Sequence, residues 1–133
     1  MSRAASGEAA WVAVLDDDAS VRTAIARVLR SEGIPVTTYA TASDYLEACA
    51  TSPPACAVVD VHLGGMSGFE LQDHLTATRQ DIPFIFITAH DDVPSAELAR
   101  RSGRTGYLRT PFGSEALIAI VRRELQRVAL ADG

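Results

Sequence analysis

Lysine is absent from this chain: all 12 basic residues are arginine, so no side-chain ammonium is available to any site the chain builds. Basic charge is also in deficit, and a net charge of -5 gives nucleic acid little to bind directly. Cysteine is scarce. Cys49 and Cys56 lack C-x-x-C spacing, which argues against a zinc or redox pair and leaves two reduced, partly buried thiols. No stretch approaches the ~18 apolar residues of a membrane span. The first ten residues, Met1 to Ala10, are small and polar, without the hydrophobic region of a signal peptide. Residues 1–10 therefore read as a disordered leader, and the cytoplasm as the compartment. No G-x-G-x-x-G follows the first apolar run, which argues against a dinucleotide site.

What is present is one domain's worth of ordinary globular composition, 133 residues at 47% hydrophobic and 22% charged. Trp11-Val12-Ala13-Val14-Leu15 is a continuous apolar run suited to a strand buried on both faces, and it stops at Asp16-Asp17-Asp18. From Ala19 the period becomes helical through Val21, Ile25, Val28 and Leu29, with Gly33 placed to close the helix. Ile34–Tyr39 reads as a second strand, and Thr41 to about Ala50 as a second helix. A third strand runs from about Ala55 to Asp60 and opens into the loop Val61-His62-Leu63-Gly64-Gly65-Met66-Ser67-Gly68. A helix follows over about Ser67–Ala77, then a fourth strand from Ile82 to Ile87 ending at Thr88. Pro94 fits the first turn of a short helix reaching Arg101. Thr105–Leu108 reads as a fifth strand, and a last helix begins after Pro111 with Leu117, Val121 and Leu125 inward. Five strands alternating with five helices predict an α/β fold with a doubly wound parallel sheet.

Chemistry in such sheets collects at the carboxyl ends of the strands. Adjacent first, third and fourth strands would bring Asp16, Asp17, Asp60 and Thr88 to one edge. Converging carboxylates raise one another's pKa unless a cation neutralises them, and hard oxygen ligands suit Mg²⁺. A carboxylate can also attack phosphorus. These residues thus read as an Mg²⁺-dependent aspartyl-phosphate site. The competing reading is that Asp16 to Asp18 cap the first helix and Asp60 is a loop acid.

The segments V-A-V-L-D-D-D, V-V-D-V-H-L-G-G-M-S-G-F-E-L, F-I-F-I-T-A-H and G-Y-L-R-T-P-F, in this order, resemble the response-regulator receiver domain over Trp11 to Leu130. The run T-A-H-D-D-V-P, Thr88 to Pro94, resembles the branch usually joined to a helix-turn-helix output. The resemblance implies a flavodoxin-like fold over 11–130 and no enzyme activity beyond self-catalysed phosphoryl transfer and dephosphorylation at Asp60. It implies Asp60 as phosphoacceptor, charged by a sensor histidine kinase. Asp16, Asp17, Asp60 and the backbone carbonyl of His62 would hold Mg²⁺, with Asp16 acting mainly through a metal-bound water. Thr88 would be the switch hydroxyl and Tyr107 the aromatic that turns inward with it. The output would be the face of the fourth helix, fifth strand and fifth helix, open to a homodimer or an effector.

The pattern breaks at Thr110, where receivers carry a lysine just before Pro-Phe. Arg109 could supply a substitute cation. Adjacent strand residues point to opposite faces, however, which favours a site that still binds Mg²⁺ with weakened or rewired output. The alternative function is a pseudo-receiver, a phosphorylation-independent binding or dimerisation module. A haloacid-dehalogenase-type enzyme would need a second acid two residues after the nucleophile and a lysine; here His62 stands there. Gly64 replaces a common proline of the family loop. Arg100, Arg101, Arg104, Arg109, Arg122 and Arg123 make the output region basic, either a solvated surface or a docking face for an acidic partner. His62, His74 and His90 have no i, i+4 pairing or ligand spacing. His62 and His90 are predicted near the acids, where a transition-metal role is the alternative to a hard-oxygen cluster that already accounts for the site without their rings.

Overall fold

In the computed structural model the described residues are 10–49, 52–78, 82–89, 91–101 and 106–132. They form β1 (Val12–Leu15), α1 (Ala19–Ser31), β2 (Val36–Tyr39), α2 (Ala42–Cys49), β3 (Cys56–Asp60), α3 (Gly68–Ala77), β4 (Phe84–Ala89), α4 (Val93–Arg101), β5 (Tyr107–Thr110) and α5 (Ser114–Asp132). The expected leader, His90, Arg104 and the side chains of Cys49, Arg100 and Arg101 lie outside the described residues.

The five strands pair in parallel in the order β2-β1-β3-β4-β5. This order reverses direction between β1 and β3, so the crevice of a doubly wound sheet opens at the ends of those two strands. Alternation then divides the core. Ala13, Leu15, Val59, Phe84 and Phe86 face Tyr45, Phe69, Leu71 and Leu75 of α2 and α3. Val12, Val14, Val58, Ile85 and Ile87 face Ile25, Leu29, Leu117 and Val121 of α1 and α5. None of residues 93–98 of α4 is buried, and the helix exposes Val93 and Leu98. Among the described residues no helix is long and apolar enough to cross a membrane.

Three strands sit later than their apolar runs suggest. Pro83 has no N–H to give, so β4 starts at Phe84, while Pro83 still accepts from the Ala57 N–H. Pairing then continues to Ala89 opposite Thr110, which draws Thr88 into β4 and Arg109 and Thr110 into β5. Pro35 likewise lies ahead of β2 yet accepts from Val12 at 2.9 Å. Cys56 is fully buried, and burial beside Glu124 pushes its thiol up to about 12, which leaves it inert.

Candidate functional site

The three consecutive acids after β1 divide their tasks. Asp18 is the N-cap of α1, accepting from Ser20 N at 2.8 Å and Val21 N at 3.4 Å. Asp16 is 3% exposed and accepts from the Asp18 N–H at 2.9 Å. Asp17 is exposed. Capping therefore accounts for one acid, and the other two face Asp60.

Asp60 ends β3 half-buried. Its Oδ1 accepts from the His62 N–H at 3.0 Å. The loop behind it is closed by a His62–Ser67 bridge and by Gly68 N donating to Val61 O at 2.8 Å. Ser67 and Glu70 form a reciprocal capping box that fixes the start of α3 against this loop. Gly64 sits at φ 78, a left-handed conformation that the ring of the family's usual proline forbids. A Cβ on Gly68 would lie 2.8 Å from the Asp60 carbonyl oxygen and 3.1 Å from Val59 Cγ1. Gly68→Ala is accordingly expected to lower stability by ~1–3 kcal/mol, the usual cost of overpacking, and chemical denaturation measures it. An unchanged midpoint would mean that α3 is free to move away from Asp60.

Carboxylate oxygens of Asp16, Asp17 and Asp60 lie within 4.8 Å of one another. With Asp18, Val21, His62, Ile87, Ala89 and Thr110 they line a cavity of about 350 Å³. Burial, followed by the neighbouring carboxylates, pushes Asp16 up to about 6 against the pull of the Asp18 N–H. Burial and Asp17 also raise Asp60, partly offset by the His62 N–H and by a hydrogen bond with Asp16. Both carboxyls thus hold a proton more readily than a free carboxylate, as acids packed together without a cation do. All-oxygen donors clustered at this spacing, with no arginine lining the cavity among the described residues, fit a hard divalent ion such as Mg²⁺.

The remaining expected residues sort by face. Thr110 lines the cavity, and its hydroxyl makes a long 3.4 Å contact to the Thr88 carbonyl. Arg109 is exposed and alternates to the opposite face. Thr88 is not among the cavity-lining residues. It is 1% exposed and shares the face of Phe86, with no hydrogen-bond partner for its buried hydroxyl. Tyr107 packs half-buried on that same face, opposite Phe86. The His62 ring turns to Asp92, with Nε2 2.7 Å from Asp92 Oδ2. Arg122 pairs with Glu32 at 2.8 Å, and so is partnered within the chain.

Sequence reasoning missed Asp92 and Arg22. Asp92 precedes α4 and accepts from Ser95 N at 3.2 Å, a capping pattern that Asp92-Val93-Pro94 could have signalled. Its partnership with His62, thirty residues away, carries no local signal. Arg22 donates to the Asp16 carbonyl at 2.6 Å and holds the end of β1 against α1. Asp16 N donates to Tyr39 O, so that backbone edge faces β2 rather than Asp60.

Comparison with known proteins agrees with this geometry. Residues 12–122 match the family described as the response regulator receiver domain. The chain is 40% identical over 118 residues to the transcriptional regulatory protein FixJ of Azorhizobium caulinodans, covering 89% of this chain and 56% of that protein. It is 33% identical over 112 residues to the DNA-binding transcriptional regulator NtrC of Escherichia coli, covering 84% of this chain and 24% of the relative. The chain thus spans about half of the first relative and a quarter of the second. Full-length FixJ from B. japonicum superposes with a TM-score of 0.84 at 31% identity, covering 92% of this chain and 61% of that structure. A sheet ordered 2-1-3-4-5, an acid cluster at its switch point and a family match over most of its length make this chain a member of the response-regulator receiver family.

Proposed function

We propose that residues 11–130 act as a two-component receiver that accepts a phosphoryl group on Asp60 from a sensor histidine kinase in the presence of Mg²⁺. The observation that carries this reading is the meeting of Asp16, Asp17 and Asp60 within 4.8 Å at the strand ends. Asp17, Asp60 and the His62 backbone carbonyl would hold the ion, with Asp16 acting mainly through a metal-bound water. Bound there, Mg²⁺ supplies the positive charge that lets an anionic carboxylate meet an anionic phosphoryl group.

The His62 N–H fixes one Asp60 oxygen. The other attacks phosphorus: an O–P bond forms, the P–N bond of the kinase's phosphohistidine breaks, and the departing imidazole nitrogen takes a proton from solvent. Thr88 holds a buried hydroxyl without a partner, a state that costs ~1–3 kcal/mol. A phosphoryl oxygen at the sheet edge offers that hydroxyl an acceptor and draws it out of the core. Tyr107, on the same face, then turns into the vacated space. The α4–β5–α5 face is the output, and exposed Val93 and Leu98 give it apolar area for a homodimer or an effector.

Thr110 at the cavity and Arg109 on the outer face favour a second reading, a receiver that binds partners without phosphorylation. One experiment separates the two. Incubation with phosphoramidate and Mg²⁺ should add a single phosphoryl group by intact mass, and Asp60→Asn should abolish the gain. No gain in the wild-type chain would overturn phosphorylation at Asp60 and leave the binding module.

A further inference from the structure

We propose that His62 is a positioning residue that ties the acid pocket to the start of α4 through Asp92, along a route that needs no lysine. The inference rests on the reading that the pocket takes Mg²⁺.

Both ends of the tie are anchored. The His62 backbone is set by the pocket: its N–H donates to Asp60 Oδ1 at 3.0 Å, and the residue bridges to Ser67 ahead of α3. Its ring leaves the carboxylate cluster and meets Asp92 Oδ2 at 2.7 Å. The second oxygen of the same carboxylate accepts from Ser95 N in the first turn of α4. The Asp92 carbonyl accepts from Ala96 N at 3.2 Å, and the Asp92 N–H donates to the carbonyl of Ala89, a residue that lines the pocket. One carboxylate therefore holds the His62 ring with one oxygen and the helix start with the other. A shift of either must be felt by both.

The chemistry of the bond is fixed by its acceptor. A carboxylate oxygen accepts, so at 2.7 Å the His62 ring nitrogen is the donor. His62 Nε2 must carry the proton, and the bond forms with the ring neutral or charged. Residues 93–98 of the helix it reaches include no buried side chain, so few core contacts in those first turns oppose a small displacement. In a receiver without the family's lysine, the carbonyl offered to the metal and the ring bonded to α4 belong to one residue. His62 is 70% exposed, which limits the tie to an exposed ion pair's strength.

The test is a Mg²⁺ titration of the full chain followed by residue-resolved amide NMR, in wild type, His62→Ala and Asp92→Ser. Serine keeps the N-cap but cannot reach the ring, so α4 stays capped. In wild type the Ser95 and Ala96 amides should shift on the same binding curve as Asp60 and Gly64. In Asp92→Ser, which leaves His62 and the three acids untouched, the pocket amides should still titrate, with a dissociation constant within about fivefold of wild type. In both variants the Ser95 and Ala96 response should fall by more than half. A full α4 response in either variant overturns the tie and leaves the metal site standing. Pocket amides that ignore Mg²⁺ in wild type overturn the metal reading, and the tie with it.

Discussion

Thr110→Lys should raise the melting temperature of the metal-free protein and weaken its hold on Mg²⁺. Residue 110 lines the acid cavity, so an ammonium group there reaches carboxylates that now have backbone N–H donors but no cation lining the cavity among the described residues. A single unit-charge pair at about 4 Å is worth ~4 kcal/mol at an effective dielectric of 20. Asp17 is exposed and the lysine must be ordered, which leaves a net gain of ~1–2 kcal/mol. For a domain of this size that is a rise of roughly 3–8 °C. The same ammonium opposes a divalent ion, and a penalty of ~1.4 kcal/mol is a tenfold weaker dissociation constant. Scanning calorimetry without metal and isothermal titration with Mg²⁺ measure the two effects. Arg109→Lys, on the opposite face, is the control and should change stability by less than ~0.5 kcal/mol. Equal effects from both substitutions would mean that Thr110 does not look into the pocket.

The face on which residue 110 stands was legible from the chain only through alternation. The rule that neighbours in a strand point apart separates Arg109 from Thr110, and the structure places them so. It could not say that β5 extends as far as Thr110, because the apolar signal fades after Leu108. Pairing of Ala89 with Thr110 decided that boundary, and pairing is a long-range property. Strand ends elsewhere moved for a local reason, the missing N–H of Pro35 and Pro83. The convergence of Asp16, Asp17 and Asp60 follows from β1 and β3 lying side by side, a condition that alternation of elements allows and only the strand order decides. Thr88 was expected beside these acids. The structure buries its hydroxyl without a partner, and Thr88 is not among the residues that line the acid cavity. The His62–Asp92 pair was beyond reach, since nothing near either residue encodes the approach of a loop to a helix start thirty residues on.

Without metal, stability should fall as the pH rises from about 4 to about 6, and Mg²⁺ should restore it above that range. The sign follows from Asp16. Its pKa is raised from 3.8 to about 6 by burial and by its acidic neighbours. Between those values the folded chain keeps a proton that the unfolded chain has released, so each step up in pH favours unfolding. The penalty is complete above about pH 6 and amounts to at most ~3 kcal/mol, at 1.36 kcal/mol per pH unit. Asp92 does not mask this trend. Its pKa is lowered, so its contribution is lost only at pH values below the ordinary carboxylate range. A divalent ion takes the place of the Asp16 proton, so its effect grows over the same window; at a hundredfold excess over its dissociation constant it adds ~2.7 kcal/mol. Asp60→Asn removes one carboxylate from the cluster. It should flatten the pH slope, raise the metal-free melting temperature at pH 7.5 and reduce the gain from Mg²⁺. Thermal melts across pH 4.5–7.5 with and without millimolar Mg²⁺ read all three. A melting temperature at pH 7.5 that ignores Mg²⁺ would show that the three acids do not act as one site, because only a shared ion links the recovery of stability to the carboxylate that Asp60→Asn removes.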